Sequence, residues 1–404
     1  MAHHLLHLLV AVSLQDTILP RWQPLARYVD SAIARGAFPG AVVAVGRRDT
    51  VLFLHPFGRM DYAGGAPVTA RTVWDLASLT KTVGLTTAAM LLVDDGALDL
   101  DAPVTRYVPE FRAGGDSVLV RHLLTHSSGL AAWKPLFRDV RERRRMFSRV
   151  HREPLEAPPG ARMAYSDLGA ILETEIVERL AGERLDRFLA GRLFGPLGMR
   201  DTRFRPPRSW LPRIAPTEVD TAWRGRLVRG EVHDENAAAM GGVSGHAGLF
   251  STAPDLVRFV QMLLRGGAMA GTGARGHGGT GAQGHGGTGA GGGTVACAVT
   301  GARGGACQLV RAETIALFTR VDRPGFSSRA LGWDTPSEGS SAGSLMSARA
   351  FGHTGFTGTS IWVDPERDVF VILLTNRVHP TRENSLIAEA RRRVADLAMQ
   401  AVGR

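Results

Sequence analysis

Lysine is almost missing from this chain: only Lys81 and Lys134 occur in 404 residues, so 46 of the 48 basic residues are arginine. Any motif built on a lysine therefore stands out. Cysteine is equally scarce, and both residues, Cys297 and Cys307, fall at the end of a glycine-rich stretch. A disulfide between them would close only a local excursion, so the fold does not depend on oxidation, and no cysteine framework is present. Apolar runs of membrane length are absent too. The N-terminal run from Leu5 to Leu14 is too short to span a bilayer. It also lacks a Lys/Arg n-region and a clear A-x-A cleavage site, which makes it a poor signal peptide and favours a cytoplasmic over a periplasmic location.

Apolar residues make up 44% of the chain, enough for a real core, so disorder of the whole is excluded. The net charge of +10 suggests an anionic partner. No module uses it, however. The arginines are scattered, and the run Arg141 to Arg145 reads as a solvated helix face without interleaved aromatics, so no nucleic-acid partner is expected. Glycine is uneven, with 18 of 49 in residues 266–306, where GARGHGGT is followed by GAQGHGGT. Such a repeat cannot bury enough apolar surface to offset its ordering entropy and reads as a flexible surface insert. Its His277 and His285 lack a preorganised ligand set, so neither a metal nor a cofactor is expected.

Along the chain, Arg21 to Ala34 has the apolar spacing of an amphipathic helix. Ala41 to Gly46 and Thr50 to Leu54 read as an antiparallel hairpin. Helical pattern then dominates from Ser78 to about Leu264, most clearly over Leu168–Leu180 and Pro254–Leu264. β-Branched runs at Gly358–Val363 and Val369–Leu374 follow, and a helix over Asn384–Val402 closes the chain. The expected fold is α+β: an antiparallel sheet made from both chain ends (17–77 with 325–404), flanked by terminal helices, with a mainly helical domain (78–324) inserted. The natural cleft lies between the two parts.

Three elements carry chemistry. In WDLASLTKTVGLTTAAMLLVDDG, Ser78 stands at a helix start with Lys81 three residues on, the same face of the helix. There the amine can reach the hydroxyl, while burial and the helix N-terminus push the lysine toward a neutral base. The plain alternative is an N-cap serine beside a solvated lysine. Tyr165-Ser166-Asp167 precedes the helix of Leu168, where Ser166 or Asp167 could merely cap it. His353-Thr354-Gly355 leads into the last strand pair, where glycine permits close backbone approach or only a bend. His126 and His246 read as structural loop histidines, and Ser244 misses the G-x-S-x-G elbow because His246 takes the last glycine's place.

Together these elements resemble the serine β-lactamase and penicillin-binding-protein superfamily, closest to its class C branch. LLTHSSGL at Leu123–Leu130, HDENAAAMGGVSGHAGLFSTA at His233–Ala253 and the segment His353–Asn376 add to the likeness. The resemblance implies a β-lactamase/DD-peptidase-like fold and a serine hydrolase acting through an acyl-enzyme on a small-molecule or peptide-like substrate. Ser78 would be the nucleophile, Lys81 its general base, and Tyr165 would share proton transfer. The N–H groups of Ser78 and Phe356 would form the oxyanion hole, and Thr354 and Gly355 would line the substrate strand. Two departures weigh against β-lactam or D-Ala-D-Ala turnover: Asp167 stands where penicillin-active members usually have Asn, and His353 where they have Lys. Asp167 would hold Lys81 charged more than an amide would, and His353 would become cationic only as pH falls toward about 6.5. The favoured function is hydrolysis of an ester or amide, including cell-wall peptides. A true β-lactamase or D-alanyl-D-alanine carboxypeptidase, or a catalytically weak sensor, are the alternatives.

Overall fold

The computed structural model describes residues 18–269 and 307–403. The N-terminal apolar run, the repeats of the insert, His277, His285 and Cys297 lie outside the described residues. Five strands form the main sheet: β1 (Gly40–Gly46), β2 (Val51–Gly58), β3 (Phe351–Thr354), β4 (Ser360–Asp364) and β5 (Val369–Thr375). Their order is β2-β1-β5-β4-β3, and every neighbouring pair is antiparallel. The α+β expectation holds, because hairpin-length turns join these strands and β1 pairs with β5 across the whole chain.

Period-two alternation explains how one sheet serves two cores. Val43 and Val45 point to one face, where Trp22, Leu25 and Val29 of the N-terminal segment and Val394 and Ala398 of the C-terminal helix cover them. Val42 and Ala44 point to the other, joining Val83, Leu168 and Phe259 of the helical region. Every residue of β1 and β5 is therefore buried. Burying one such Val or Leu side chain contributes about 1.5–3 kcal/mol, so both layers are bound firmly to the central strands.

Boundaries differ from the sequence reading where local signals mislead. β2 runs to Gly58, past His55-Pro56, because it is an edge strand and a proline there removes no ladder bond. The closing helix starts at Ile387, three residues after Asn384. The stretch expected to be helical also contributes Leu249–Ser251 and Arg203–Phe204 to a small sheet with Trp74–Asp75, which precedes it. Strands of two or three residues are too short to show alternation.

Candidate active site

Ser78 does not lie within the helix proper. It occupies a tight turn in which Lys81 N–H bonds to Ser78 O at 3.0 Å, and a stretch of wide, π-type hydrogen bonding covers Lys81–Thr86 before the α-helix Thr87–Asp94. Such stretches recur at functional sites because they re-aim one side chain. Ala77, just before the serine, has a left-handed φ of 46°. Buried Asp75 holds it there: Oδ1 accepts from Ala77 N–H at 2.8 Å and Oδ2 from His233 N–H at 2.7 Å. The third motif is tied to the same turn. Thr357 Oγ1 donates to Asp75 O and Thr359 Oγ1 to Leu76 O, and a Cβ on Gly355 would lie 2.3 Å from Leu76 O. Gly355 thus allows close approach as well as a bend.

Lys81 is buried, and its ammonium has three acceptors: Ser78 Oγ at 3.2 Å, His246 O at 3.0 Å and Asp167 Oδ1 at 2.6 Å. Burial alone would lower its pKa, but the Asp167 carboxylate and the nearby Tyr165 outweigh it and raise the pKa above the usual lysine value. The expected drift toward a neutral amine is therefore reversed; the ion pair holds the proton. Asp167 is the first residue of the helix Asp167–Ala181, and the capping role falls to Ser166, whose Oγ accepts from Gly169 N–H at 3.0 Å. Tyr165 lies with its ring 4.8 Å from Lys81 Nζ, and its buried hydroxyl faces that ammonium.

His353 is buried, its ring 5.6 Å from that of Tyr165. Burial first, then Arg329 and Lys81, push its pKa well below 6.5. It stays neutral at physiological pH, and the expectation that it charges near pH 6.5 is corrected. Because Nδ1 faces Thr354 O at 2.8 Å, it carries the proton, leaving Nε2 bare and without a partner among the described residues. The N–H groups of Ser78 and Phe356 donate to no acceptor among the described residues. Ser78, Tyr165, Asp167 and Phe356 line one cavity of about 370 Å³. His353, Thr354 and Gly355 lie behind it, on β3 and the turn that follows.

Several residues here escaped the sequence reading. His126 is more than a loop histidine: with φ of 55° it packs 4.4 Å from the Tyr165 ring, and its Nδ1 accepts from Ser166 N–H. Burial pushes its pKa well below 6.5 as well. His246 offers its carbonyl to Lys81, and its ring links Ser244 Oγ at 2.7 Å to Asp234 Oδ1 at 2.8 Å. Asp234 and Trp133 line the cavity. Arg329 stacks 5.2 Å from the Tyr165 ring centroid. Only Asp75 left a local trace, an acid three residues before the serine. Among the described residues no group of His, Cys, Asp or Glu could hold a metal ion, and no helix is long and apolar enough to cross a membrane.

An antiparallel sheet between two layers, with a serine and a lysine sharing a helix start at its edge, defines a serine hydrolase of the β-lactamase and penicillin-binding type. The Beta-lactamase family model matches residues 25–396, and the chain belongs to that family. A protein of Escherichia coli (strain K12) named "Putative D-alanyl-D-alanine carboxypeptidase" is 30% identical over 342 residues, 77% of this chain and 70% of that one. Among solved structures, a penicillin-binding-protein homologue from Caulobacter crescentus superposes with a TM-score of 0.71 at 22% identity, covering 95% of this chain and 98% of that one. EstCE1, described as a hydrolase with promiscuous acyltransferase activity, reaches a TM-score of 0.66 at 20% identity, covering 94% and 98%. At these identities the two structures speak for the fold alone.

Proposed function

We propose that this serine hydrolase forms an acyl-enzyme on Ser78. The observation that carries the reading is the 3.2 Å contact between Lys81 Nζ and Ser78 Oγ at the floor of a cavity. In acylation Ser78 Oγ bonds to the carbonyl carbon of an ester or amide and the bond to the leaving group breaks. The serine proton passes by way of Lys81 and Tyr165 to that leaving group; water then attacks the acyl-enzyme and restores Ser78. Because Lys81 rests as an ammonium, it must shed a proton before taking the one from Ser78, so turnover rises with pH. The N–H groups of Ser78 and Phe356 are free to stabilise the oxyanion.

For substrate, the carboxypeptidase name of the 30%-identical relatives supports a cell-wall-derived peptide or muropeptide. Neutral His353 supplies no charge for a carboxylate beside the scissile bond. We therefore favour an ester or amide in which that carboxylate is dispensable over a β-lactam or a D-Ala-D-Ala terminus. Intact mass after fluorophosphonate treatment, wild type beside Ser78→Ala, tests the nucleophile: one adduct that vanishes in the variant is expected, and its absence in wild type would leave a sensor protein. Turnover of nitrocefin, p-nitrophenyl acetate and muropeptides tests the substrate, and efficient nitrocefin hydrolysis would overturn the preference.

A further inference from the structure

Past the Ser78 cavity lies a second one of about 580 Å³, and Trp133, Glu235 and Arg382 line both. The two are compartments of one cleft. Their shared wall is braced: Arg382 pairs with Glu218 at 2.5 Å and with Glu235 at 2.7 Å. Beyond it the lining changes character. Phe137 and Trp223 meet edge to face with centroids 4.9 Å apart, and Trp133, 47% exposed, stands at the junction. The guanidinium carbons of Arg138 and Arg141 lie 5.9 and 5.8 Å from the Phe137 and Trp223 ring centroids. Neither guanidinium has a carboxylate or hydrogen-bond partner among the described residues. The acids nearby are engaged, Glu218 and Glu235 by Arg382 and Asp220 by Arg224 at 3.0 Å, which leaves Glu383 on this lining opposite two uncompensated arginines.

We propose that this outer compartment binds the far end of the substrate, an apolar or planar segment ending in a carboxylate. Exposed Trp133 takes the apolar segment, since Phe137 is buried and Trp223 is covered by Arg224 at 4.5 Å, and the planar guanidiniums of Arg138 and Arg141 take the anion. This rests on the acyl-enzyme reading of Ser78. The carboxylate recognised here is remote from the scissile bond, so it is distinct from the adjacent one that His353 cannot hold. It also gives two of the chain's many arginines a task.

The test uses p-nitrophenyl esters of dicarboxylic acids of increasing length, each with its far end free or capped as the carboxamide. In wild type, kcat/KM for the free acids that reach the outer compartment should exceed that of their capped partners by about five- to tenfold, two exposed charge pairs' worth, and through KM. The double variant Arg138→Ala/Arg141→Ala should bring the ratio to about one, and Arg138→Glu/Arg141→Glu should invert it. A ratio near one at every length in wild type, or one that survives the double alanine variant, overturns the proposal. Fluorophosphonate labelling of the same samples separates the two readings: labelled Ser78 without a preference defeats only the distal site, whereas no labelling defeats the acyl-enzyme and this inference with it.

Discussion

The two lysines of this chain occupy opposite kinds of site. Lys81 is buried, with a carboxylate, a carbonyl and a serine hydroxyl around one nitrogen. Lys134, its side chain one-third exposed, is paired with buried Glu153, which Arg149 also holds. Both are ion pairs, yet only the first touches a group that could react. The Glu153 carboxylate is itself buried, but it keeps Arg149 as a second partner when Lys134 is removed. The Lys81 pair sets a protonation state. Asp167 overcomes the desolvation of Lys81 and raises its pKa, so the pair stores a proton next to Ser78.

The contrast can be broken most sharply by removing each amine in turn. Lys81→Ala should lower kcat/KM on p-nitrophenyl acetate by about 10²–10⁴-fold, the usual worth of a positioned proton carrier; a loss below tenfold would reduce Lys81 to a structural role. Asp167→Asn removes the charge that keeps the ammonium while burial persists. The Lys81 pKa should fall, and the pH of half-maximal kcat/KM should move down by about one to three units in the pH–rate profile. A midpoint that stays put would mean another group titrates. Glu173, on the same helix as Asp167, sharpens the comparison from the opposite sign. It is buried with Oε1 unpartnered among the described residues, and burial, partly countered by Lys81, pushes its carboxyl up to about 8.

A raised carboxyl pKa destabilises the fold above the ordinary value near 4.5, where the unfolded chain ionises freely and the native state does not, and this penalty grows until the pH passes 8. Glu173→Gln should therefore raise Tm by a few degrees at pH 8 and by little at pH 4.5, a difference that calorimetry at the two pH values measures. Lys134→Ala leaves the buried Glu153 to Arg149 alone, so it should lower unfolding free energy by about 1–3 kcal/mol in urea melts and leave the pH–rate profile in place.

The frame was legible in the residues. The continuous apolar, β-branched runs of β1 and β5, the turn residues between β4 and β5, and the two terminal helices sufficed to join the chain ends in one antiparallel sheet. So was the nearness of Ser78 and Lys81, which follows from three-residue spacing alone. What misled was charge. Burial and a helix start argued for a neutral lysine, and the opposing carboxylate, 86 positions later, enters only through folding. Its identity was read and its tendency to hold the proton was noted, but a distance of 2.6 Å decides which influence wins. His353 was misjudged for the same reason, since its reference pKa says nothing of the burial and the arginine around it.

Asp234 and Trp133 were the harder misses, and for His126 and His246, read as structural loop histidines, it was the nearness to the site that went unread. Each sits in a loop with no periodicity, and each reaches the site through a long-range contact that no local pattern encodes. The scarcity of lysine singled out one helix turn, and local physics made Ser78 and Lys81 neighbours; that much the sequence alone determined. Tertiary structure decided the protonation state of Lys81, the neutrality of His353 and the continuation of the cleft past Trp133 toward Arg138 and Arg141. Those properties depend on distance and dielectric between segments far apart in the chain, and only packing sets them.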